Sequence, residues 1–392
     1  MSVSIFPTLF TAMIARILLG SLFLIVSNVP AFAAASGLHI DLQVRVNSDL
    51  ISSDPVLEWN SVDGSEYFVQ KSRDLQEWRL LPLKFEGNDS LMKKSIDLEA
   101  AAFYRVIRQL QPDRPWVTAA AATSLAGYQL FYSELIQAPV SYHIYLPFLY
   151  QEEPFRRFPV LYWLHGAGPG VLGIPALTRY FHEAIELGKM PATIIVFANG
   201  LPDGMWANSK NGIQPVESIL IEELIPYIDQ HFRTIADRSG RIVEGFSMGG
   251  YGAGRLGLKY PQLFSAVSMM GAGPLQLDFL EEHPRLVPLE SRKLIFESVY
   301  GNDMSYFEAE SPWRLGEDFM EEGRGDLIIR QIVGTADSMI TDNRQLRDHY
   351  EQLGLPLIYI ELPAVGHNPM EVLRAIGTAN FEFYESVFGS GN

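Results

Sequence analysis

The chain has 392 residues, 47% of them hydrophobic, with 46 acidic against 30 basic side chains and a formal net charge of −16. A surface this acidic repels nucleic acid and anionic membranes, so neither is an expected partner, and the charge serves solubility. There is no cysteine, which excludes disulfides, thiolate catalysis, cysteine-ligated metal and a lipidated N-terminal cysteine.

The front of the chain reads as an export signal. Arg16 precedes an apolar run from Ile17 to Val26, followed by Pro30 and the small-residue sites Ala31-Phe32-Ala33 and Ala33-Ala34-Ala35. That is the order of charge, apolar core and cleavage site in a secretory signal. The run is too short to span a bilayer. Residues 1–35 are therefore expected to be removed near Ala33 or Ala35, giving a secreted or periplasmic protein without stable membrane association. Met13 would give a signal of more usual length than Met1, so the true start is expected at one or the other.

From Leu38 the texture changes to short alternating segments, such as Leu42 to Val46 and Tyr67 to Gln70, separated by Asn, Asp, Gly, Ser and Pro. This rhythm predicts an all-β sandwich over residues 37–110. Trp59, Trp78, Phe103 and Tyr104 would supply most of its core, since large aromatics dominate the burial of so small a domain. Core packing also outweighs a sugar-stacking role for Trp78. The run from Leu57-Glu58-Trp59 through Tyr67 to Ser72 and Trp78 to Phe103-Tyr104-Arg105-Val106 resembles the fibronectin type III-like modules attached to secreted bacterial enzymes. Residues 111–123, with Pro112, Pro115 and Ala119 to Ala122, read as a linker.

Residues 124–390 alternate strand-like and helix-like segments. Tyr128 to Leu135 and Val140 to Leu146 predict an edge hairpin. Pro159 to Leu164 and Thr193 to Ala198 are continuous apolar runs of the kind shown by a parallel strand buried on both faces. Phe264 to Met270, Leu327 to Val333 and Leu357 to Leu362 are further strands. Helices are expected over Ile174 to Leu187, Val216 to Phe232 with a bend at Pro226, Asp342 to Leu353, and Met370 to Phe388. The alternation predicts a mostly parallel sheet covered by helices, with its site beyond the carboxyl ends of the strands.

Within this domain Arg241 to Arg255 reads as a buried strand, the sequence Gly245-Phe246-Ser247-Met248-Gly249, and a small-residue helix. Strand, sharp turn and helix are the context of a nucleophile elbow, which makes Ser247 the expected nucleophile. Two further strand-end loops carry candidate partners. Asp337 follows the strand ending at Val333, with Asp342 read as the cap of the next helix. His367, in Gly366-His367-Asn368 after Leu362, is the one of eight histidines that follows both the serine and a strand-end acid at the right place, in a loop just after a strand. The chain order Ser, Asp, His is that of an α/β-hydrolase. After Leu164, the loop His165-Gly166-Ala167-Gly168-Pro169-Gly170 offers backbone N–H groups; with Met248, Ala167 is the chosen oxyanion donor. His165 is expected to buttress this loop.

Several of these stretches together resemble a known family: Tyr142 to Pro147, Pro159 to Gly166, Glu223 to Ile228, Gly245 to Gly250 and Gly366-His367-Asn368. They are similar to the esterase D-like family of α/β-hydrolases, which includes feruloyl and acetylxylan esterases, S-formylglutathione hydrolases and enterochelin esterases. The likeness spans nearly all of residues 128–388. It implies Ser247, Asp337 and His367 as a catalytic triad. Trp206 falls in a loop that lies near the family's active site, so it is read as a pocket wall or as packing. Leu275 to Gly325 is read as a long insertion over the site, with Tyr306, Phe307 and Trp313 lining an acyl pocket.

The chemistry implied is ester hydrolysis through an acyl-enzyme, with no metal or organic cofactor. Activity should rise with pH as the histidine becomes the neutral base. Export favours feruloyl or acetyl esters of extracellular polysaccharides as substrates. The alternatives are a siderophore esterase, an acyltransferase, or an inactive glycan-binding protein.

Overall fold

The computed structural model describes residues 17–18, 21–22, 56–61, 65–73, 79–88, 90–95, 103–110, 115–275, 279–280, 287–323 and 325–389. The expected export signal lies outside the described residues, apart from a pairing of Ile17–Leu18 with Ser21–Leu22. Trp78 and residues 111–114 lie outside them too. The chain divides into two compact units, Met1–Arg114 with Leu130–Pro139, and Pro115–Gln129 with Val140–Asn392.

In the N-terminal unit, β1 (Val56–Asn60) pairs antiparallel with β4 (Leu91–Ser95). A second sheet has β2 (Ser65–Ser72) at its centre, antiparallel to both β3 (Arg79–Glu86) and β5 (Phe103–Leu110). Alternation puts Leu57 and Trp59 from one sheet, and Tyr67, Val69, Tyr104 and Val106 from the other, into one core. Trp59 is fully buried, 5.8 Å from the Tyr67 ring and 5.4 Å from Phe85.

A further sheet has eight strands, most of whose residues belong to the larger unit. Its strands are β6 (Ala126–Ser133), β7 (Ala138–Tyr145), β8 (Val160–Leu164), β9 (Ile194–Ala198), β10 (Arg241–Phe246), β11 (Ala266–Met270), β12 (Ile328–Gly334) and β13 (Ile358–Leu362). Their order is β13-β12-β11-β10-β8-β9-β7-β6. β8 to β13 are mutually parallel, and β7 runs against β9. β8, β9, β10 and β11 are buried at every residue; β8 and β9 accordingly read as unbroken apolar runs, whereas β10 and β11 carry Arg241, Glu244 and Ser268 into the interior. This is the α/β-hydrolase fold, with the strand before Ser247 in mid-sheet.

Three expectations change. Residues 115–123 are not a free linker, because Trp116 is buried and the N–H groups of Thr118 and Ala121 donate to Ser141 Oγ at 3.0 Å and His143 Nε2 at 2.9 Å. Single acceptors on a buried strand are enough to order a segment whose composition reads as spacer. The final helix is two, α8 (Pro369–Ile376) and α9 (Thr378–Phe388), broken at Gly377 with φ +62°. The third concerns residues 275–325. Read in the sequence as one long insertion without assigned elements, they carry helices α4 (Leu289–Ser298), α5 (Met304–Ala309) and α6 (Pro312–Glu321). Beyond helix α1 (Ile174–Glu186), the ladder changes type at Pro226: a π-helical stretch Ile219–Leu224 precedes α2 (Ile225–His231), as proline supplies no N–H for the normal ladder.

One row of polar side chains crosses the sheet core. Glu244, Ser268 and Arg330 are cross-strand neighbours. Arg330 Nη2 donates to Glu244 at 3.0 Å and to Ser268 Oγ at 3.0 Å, and the Tyr384 hydroxyl of α9 donates to Glu244 at 2.8 Å. Such a buried pair contributes little net stability, but losing one partner strands the other and costs about 3–5 kcal/mol. It ties α9 to β10, the strand that leads into Ser247.

Candidate active site

β10 delivers Ser247 into a turn with φ +60° and ψ −120°, and helix α3 (Met248–Lys259) starts at the next residue. That backbone is strained for any side chain, typically by about 1–3 kcal/mol. It persists because the turn is held on both sides. Ser247 N–H donates to the Met270 carbonyl at 2.9 Å, and the Ser247 carbonyl accepts from Tyr251 at 3.0 Å and Gly273 at 3.3 Å. The flanking glycines are steric requirements. A Cβ on Gly249 would run into the Leu164 carbonyl, and one on Gly245 into the backbone of Gly249.

Asp337 and His367 come from the loops after β12 and β13, and backbone bonds lace those loops together. Ala336 N–H donates to the Val365 carbonyl at 3.0 Å, Thr335 N–H to Leu362 at 2.9 Å, and Ala364 N–H to Thr335 Oγ1 at 2.8 Å. Asn368 then caps α8, its Oδ1 accepting from Met370 at 2.9 Å and Glu371 at 3.2 Å. This anchors the residue next to His367. Asp337 is 2% exposed, and its Oδ1 accepts from Met339 N–H at 2.8 Å.

The three side chains form one file. His367 Nδ1 lies 2.8 Å from Asp337 Oδ2 and 2.9 Å from Oδ1, and His367 Nε2 lies 2.9 Å from Ser247 Oγ. A carboxylate only accepts, so Nδ1 carries the proton and Nε2 is free to accept from the serine hydroxyl. The Phe246 ring stands 4.5 Å from the imidazole, backing it on the strand side. Asp342 does not cap. Helix α7 (Ile340–Leu353) begins two residues earlier, and Asp342 is buried in its first turn.

The His165–Gly170 loop lies against the nucleophile. A Cβ on Gly166 would stand 3.2 Å from Ser247 Cβ and 3.8 Å from its Oγ. Gly168 N–H is taken up by the Pro202 carbonyl at 2.8 Å, whereas Ala167 is exposed. Met248 opens α3, where N–H groups have no partner within the helix. His165 is buried, and desolvation pushes its imidazole down to about 4, against a smaller upward pull from its bond to Gly166. It is held as a neutral ring by the Gly166 carbonyl and the Gly200 N–H, and bonds to neither Ser247 nor His367.

Trp206 packs against its neighbours. It is fully buried, its indole N–H donates to the His165 carbonyl at 3.0 Å, and its ring fills the space that Gly200 and Gly252 leave by having no side chain. Trp313 stacks on His349, with centroids 4.1 Å apart and planes at 13°, between helices α6 and α7. Phe307 is buried in an aromatic cluster within the insertion, 5.1 Å from Phe279 and 5.0 Å from Tyr300. The Tyr306 hydroxyl donates to the Asn208 carbonyl at 3.1 Å. Aromatic residues in an insertion read as ligand contacts in a sequence, yet here a local core needed them first.

Sequence reasoning missed the charged cluster that docks this insertion. Arg255 on α3 is fully buried between Glu217 at 2.6 Å and Glu310. Its Nη1 donates to the Trp206 carbonyl at 2.6 Å. Lys259 bonds Glu217 at 2.9 Å and Glu310 at 3.0 Å, and the Tyr260 hydroxyl donates to Glu217 at 2.5 Å. Burial works to raise the Glu217 carboxyl, but Arg255 and Lys259 outweigh it and hold the group at about 2. The signal was a pair of cations one turn apart, Arg255 and Lys259, in a helix otherwise made mostly of small and apolar residues.

Among the described residues no three histidines, aspartates or glutamates converge as metal ligands would, and no helix is long and apolar enough to cross a membrane.

A family model described as putative esterase matches residues 133–346, more than half of the chain. An endo-1,4-beta-xylanase/feruloyl esterase of Xylanibacter ruminicola is 32% identical over 151 residues, 36% of this chain and 21% of that protein. An esterase of Mycobacterium tuberculosis is 38% identical over 135 residues, 32% of this chain and 27% of that one. The chain thus matches about a fifth to a quarter of these relatives' length. Among solved structures, a ferulic acid esterase superposes with TM-score 0.55 at 20% identity, covering 67% of this chain and 98% of the other. An S-formylglutathione hydrolase from Agrobacterium tumefaciens gives 0.55 at 18%, covering 69% and 99%. At such identities the superpositions speak for the fold.

Proposed function

The chain belongs to the putative esterase family, and from that premise we propose that it is a serine carboxylic-ester hydrolase working through an acyl-enzyme. The observation that carries this is the single file of Ser247, His367 and Asp337, with 2.9 Å between serine oxygen and imidazole. Ser247 Oγ attacks the ester carbonyl while His367 Nε2 takes the hydroxyl proton, and Asp337 steadies the imidazolium that forms. The N–H groups of Met248 and Ala167 receive the oxyanion. Collapse of the tetrahedral intermediate expels the alcohol, which leaves with the proton from His367. Water then attacks the acyl-enzyme with His367 again as base. The acid is released and the Ser247 hydroxyl restored.

The substrates proposed are feruloyl or acetyl esters on polysaccharides outside the cell. Support comes from the relative named as a xylanase/feruloyl esterase and from the export signature at Arg16 to Ala35. The test is hydrolysis of methyl ferulate, acetylated xylan and p-nitrophenyl acetate by the wild type and by Ser247→Ala. Cleavage by the wild type with a loss of at least about 10³-fold in the variant is the expected result. Equal rates from both proteins would remove Ser247 as nucleophile.

A further inference from the structure

Ala167 sits on a loop that a second loop holds in place, and the contact between them runs through one imidazole. Building on the esterase reading above, we propose that His165 is a positioning residue for oxyanion stabilisation. Its ring, as the Nδ1–H tautomer, grips the Gly166 carbonyl and so fixes the direction of the Ala167 N–H, which belongs to the same peptide group.

The tautomer follows from the partners. His165 Nδ1 lies 2.7 Å from the Gly166 carbonyl oxygen, which can only accept. Gly200 N–H, which can only donate, gives its proton to His165 Nε2 at 3.1 Å. One nitrogen must carry hydrogen and the other must not, so the ring is neutral and unable to flip without losing both bonds. Burial keeps it so, with the imidazole pushed down to about 4. In a planar trans peptide the C=O and N–H point in opposite directions. Holding the Gly166 oxygen on the histidine side therefore turns the Ala167 N–H to the other side. Gly166 itself stands against Ser247, with room for a Cβ only 3.2 Å from the serine Cβ.

The supporting loop is built for this contact. Residues 199–206 reach the oxyanion loop through three bonds: Gly200 to the His165 ring, the Trp206 indole to the His165 carbonyl at 3.0 Å, and Gly168 N–H to the Pro202 carbonyl at 2.8 Å. Three of its non-glycine residues take left-handed backbone, Leu201 at φ +60°, Met205 at +52° and Trp206 at +53°. Strain of this kind is kept where surrounding structure over-determines a geometry, and it gathers near working sites. Arg255 locks the far end by donating to the Trp206 carbonyl at 2.6 Å.

Three variants separate positioning from simple packing. His165→Asn keeps an amide donor near the place of Nδ1, His165→Gln moves the amide out to the place of Nε2, and His165→Phe keeps only the ring. The readouts are kcat and KM on p-nitrophenyl acetate, and the rate at which a fluorophosphonate labels Ser247, whose P=O uses the same donors. The phenylalanine and glutamine variants are expected to lose roughly 10–100-fold in kcat, in the range of losing one oxyanion donor, with KM changed by less than about threefold. The asparagine variant should return to within about fivefold of the wild type, and labelling should fall in the same order. Equal losses in asparagine and glutamine, or an unchanged kcat in phenylalanine, would overturn the positioning role. Should the phenylalanine variant not fold, the asparagine and glutamine pair decides the matter. If the wild type cleaves no ester yet labelling follows the predicted order, the ester reading fails and the positioning role stands. If the wild type neither cleaves nor labels, both fall.

Discussion

The two sides of Ser247 are held by different means. On the histidine side, the loops after β12 and β13 are joined by main-chain bonds, such as Ala336 N–H to the Val365 carbonyl at 3.0 Å, and by the Asn368 cap. On the side proposed to take the oxyanion, a relay of contacts runs from Gly166 through His165 and Trp206 to Arg255, and on to Glu217 and Glu310. Main-chain bonds survive most substitutions, because every residue but proline brings the same N–H and C=O. A side-chain relay breaks at any member. The histidine side should therefore be sensitive at its reacting groups and tolerant around them, and the oxyanion side sensitive well away from the chemistry.

The largest effect should come from striking the histidine side at its centre. Asp337→Asn is expected to keep the fold and reduce kcat by about 10⁴-fold, because an amide can present its N–H to the imidazole and favour the wrong tautomer. Steady-state kinetics on p-nitrophenyl acetate checks this, and a loss under tenfold would break the comparison at its stronger end.

Next comes the oxyanion side at a distance. Glu217 is held at about 2 against an ordinary 4.5, so its folded pKa is depressed. Its contribution to stability is complete above about pH 5 and lost as pH falls through 4.5 towards 2, amounting to something on the order of 3 kcal/mol. Glu217→Gln should remove that contribution at pH 7 and flatten the acid limb of the stability profile. Denaturant titrations of both proteins at pH 7 and pH 3 read this directly. An acid limb as steep in the variant as in the wild type would show that Glu217 does not carry it.

Smaller effects test tolerance around the histidine. Asn368→Ala removes the cap of α8 and should cost about 1 kcal/mol in stability, with kcat falling only a few-fold because the loop's main-chain bonds remain. Thermal melts alongside kinetics would separate the two. Smallest of all, Trp313→Ala, which loses a stack on His349, should leave kcat and KM within about threefold, as substitutions away from a site usually do. A large rise in KM would return Trp313 to the substrate pocket.

How much of this was legible in advance follows from the range of each interaction. The strands Val160–Leu164 and Ile194–Ala198 were readable because burial on both faces leaves continuous apolar runs, and the ends of the later strands pointed to Ser247, Asp337 and His367. The turn at Ser247 was readable because its motif falls within five consecutive residues, although the demand on Gly249 comes from the distant Leu164 carbonyl. Trp206 was half readable: its neighbourhood was right, but nothing in Met205-Trp206-Ala207 says that Gly200 and Gly252 leave space for its ring. The role of Arg255 was hidden, since its partners lie 38 and 55 positions away in sequence.

The sequence by itself determined the alternation of strand and helix, the elbow, and the chain order of serine, acid and histidine, because these rest on local sterics and on the period of burial. Tertiary structure alone decided which way Trp206 faces, that the aromatics of residues 275–325 serve a local core, that residues 115–123 pack, and which tautomer His165 must hold. Each of these depends on a partner brought close only when the chain folds, and a side chain's chemistry does not record which partner that will be.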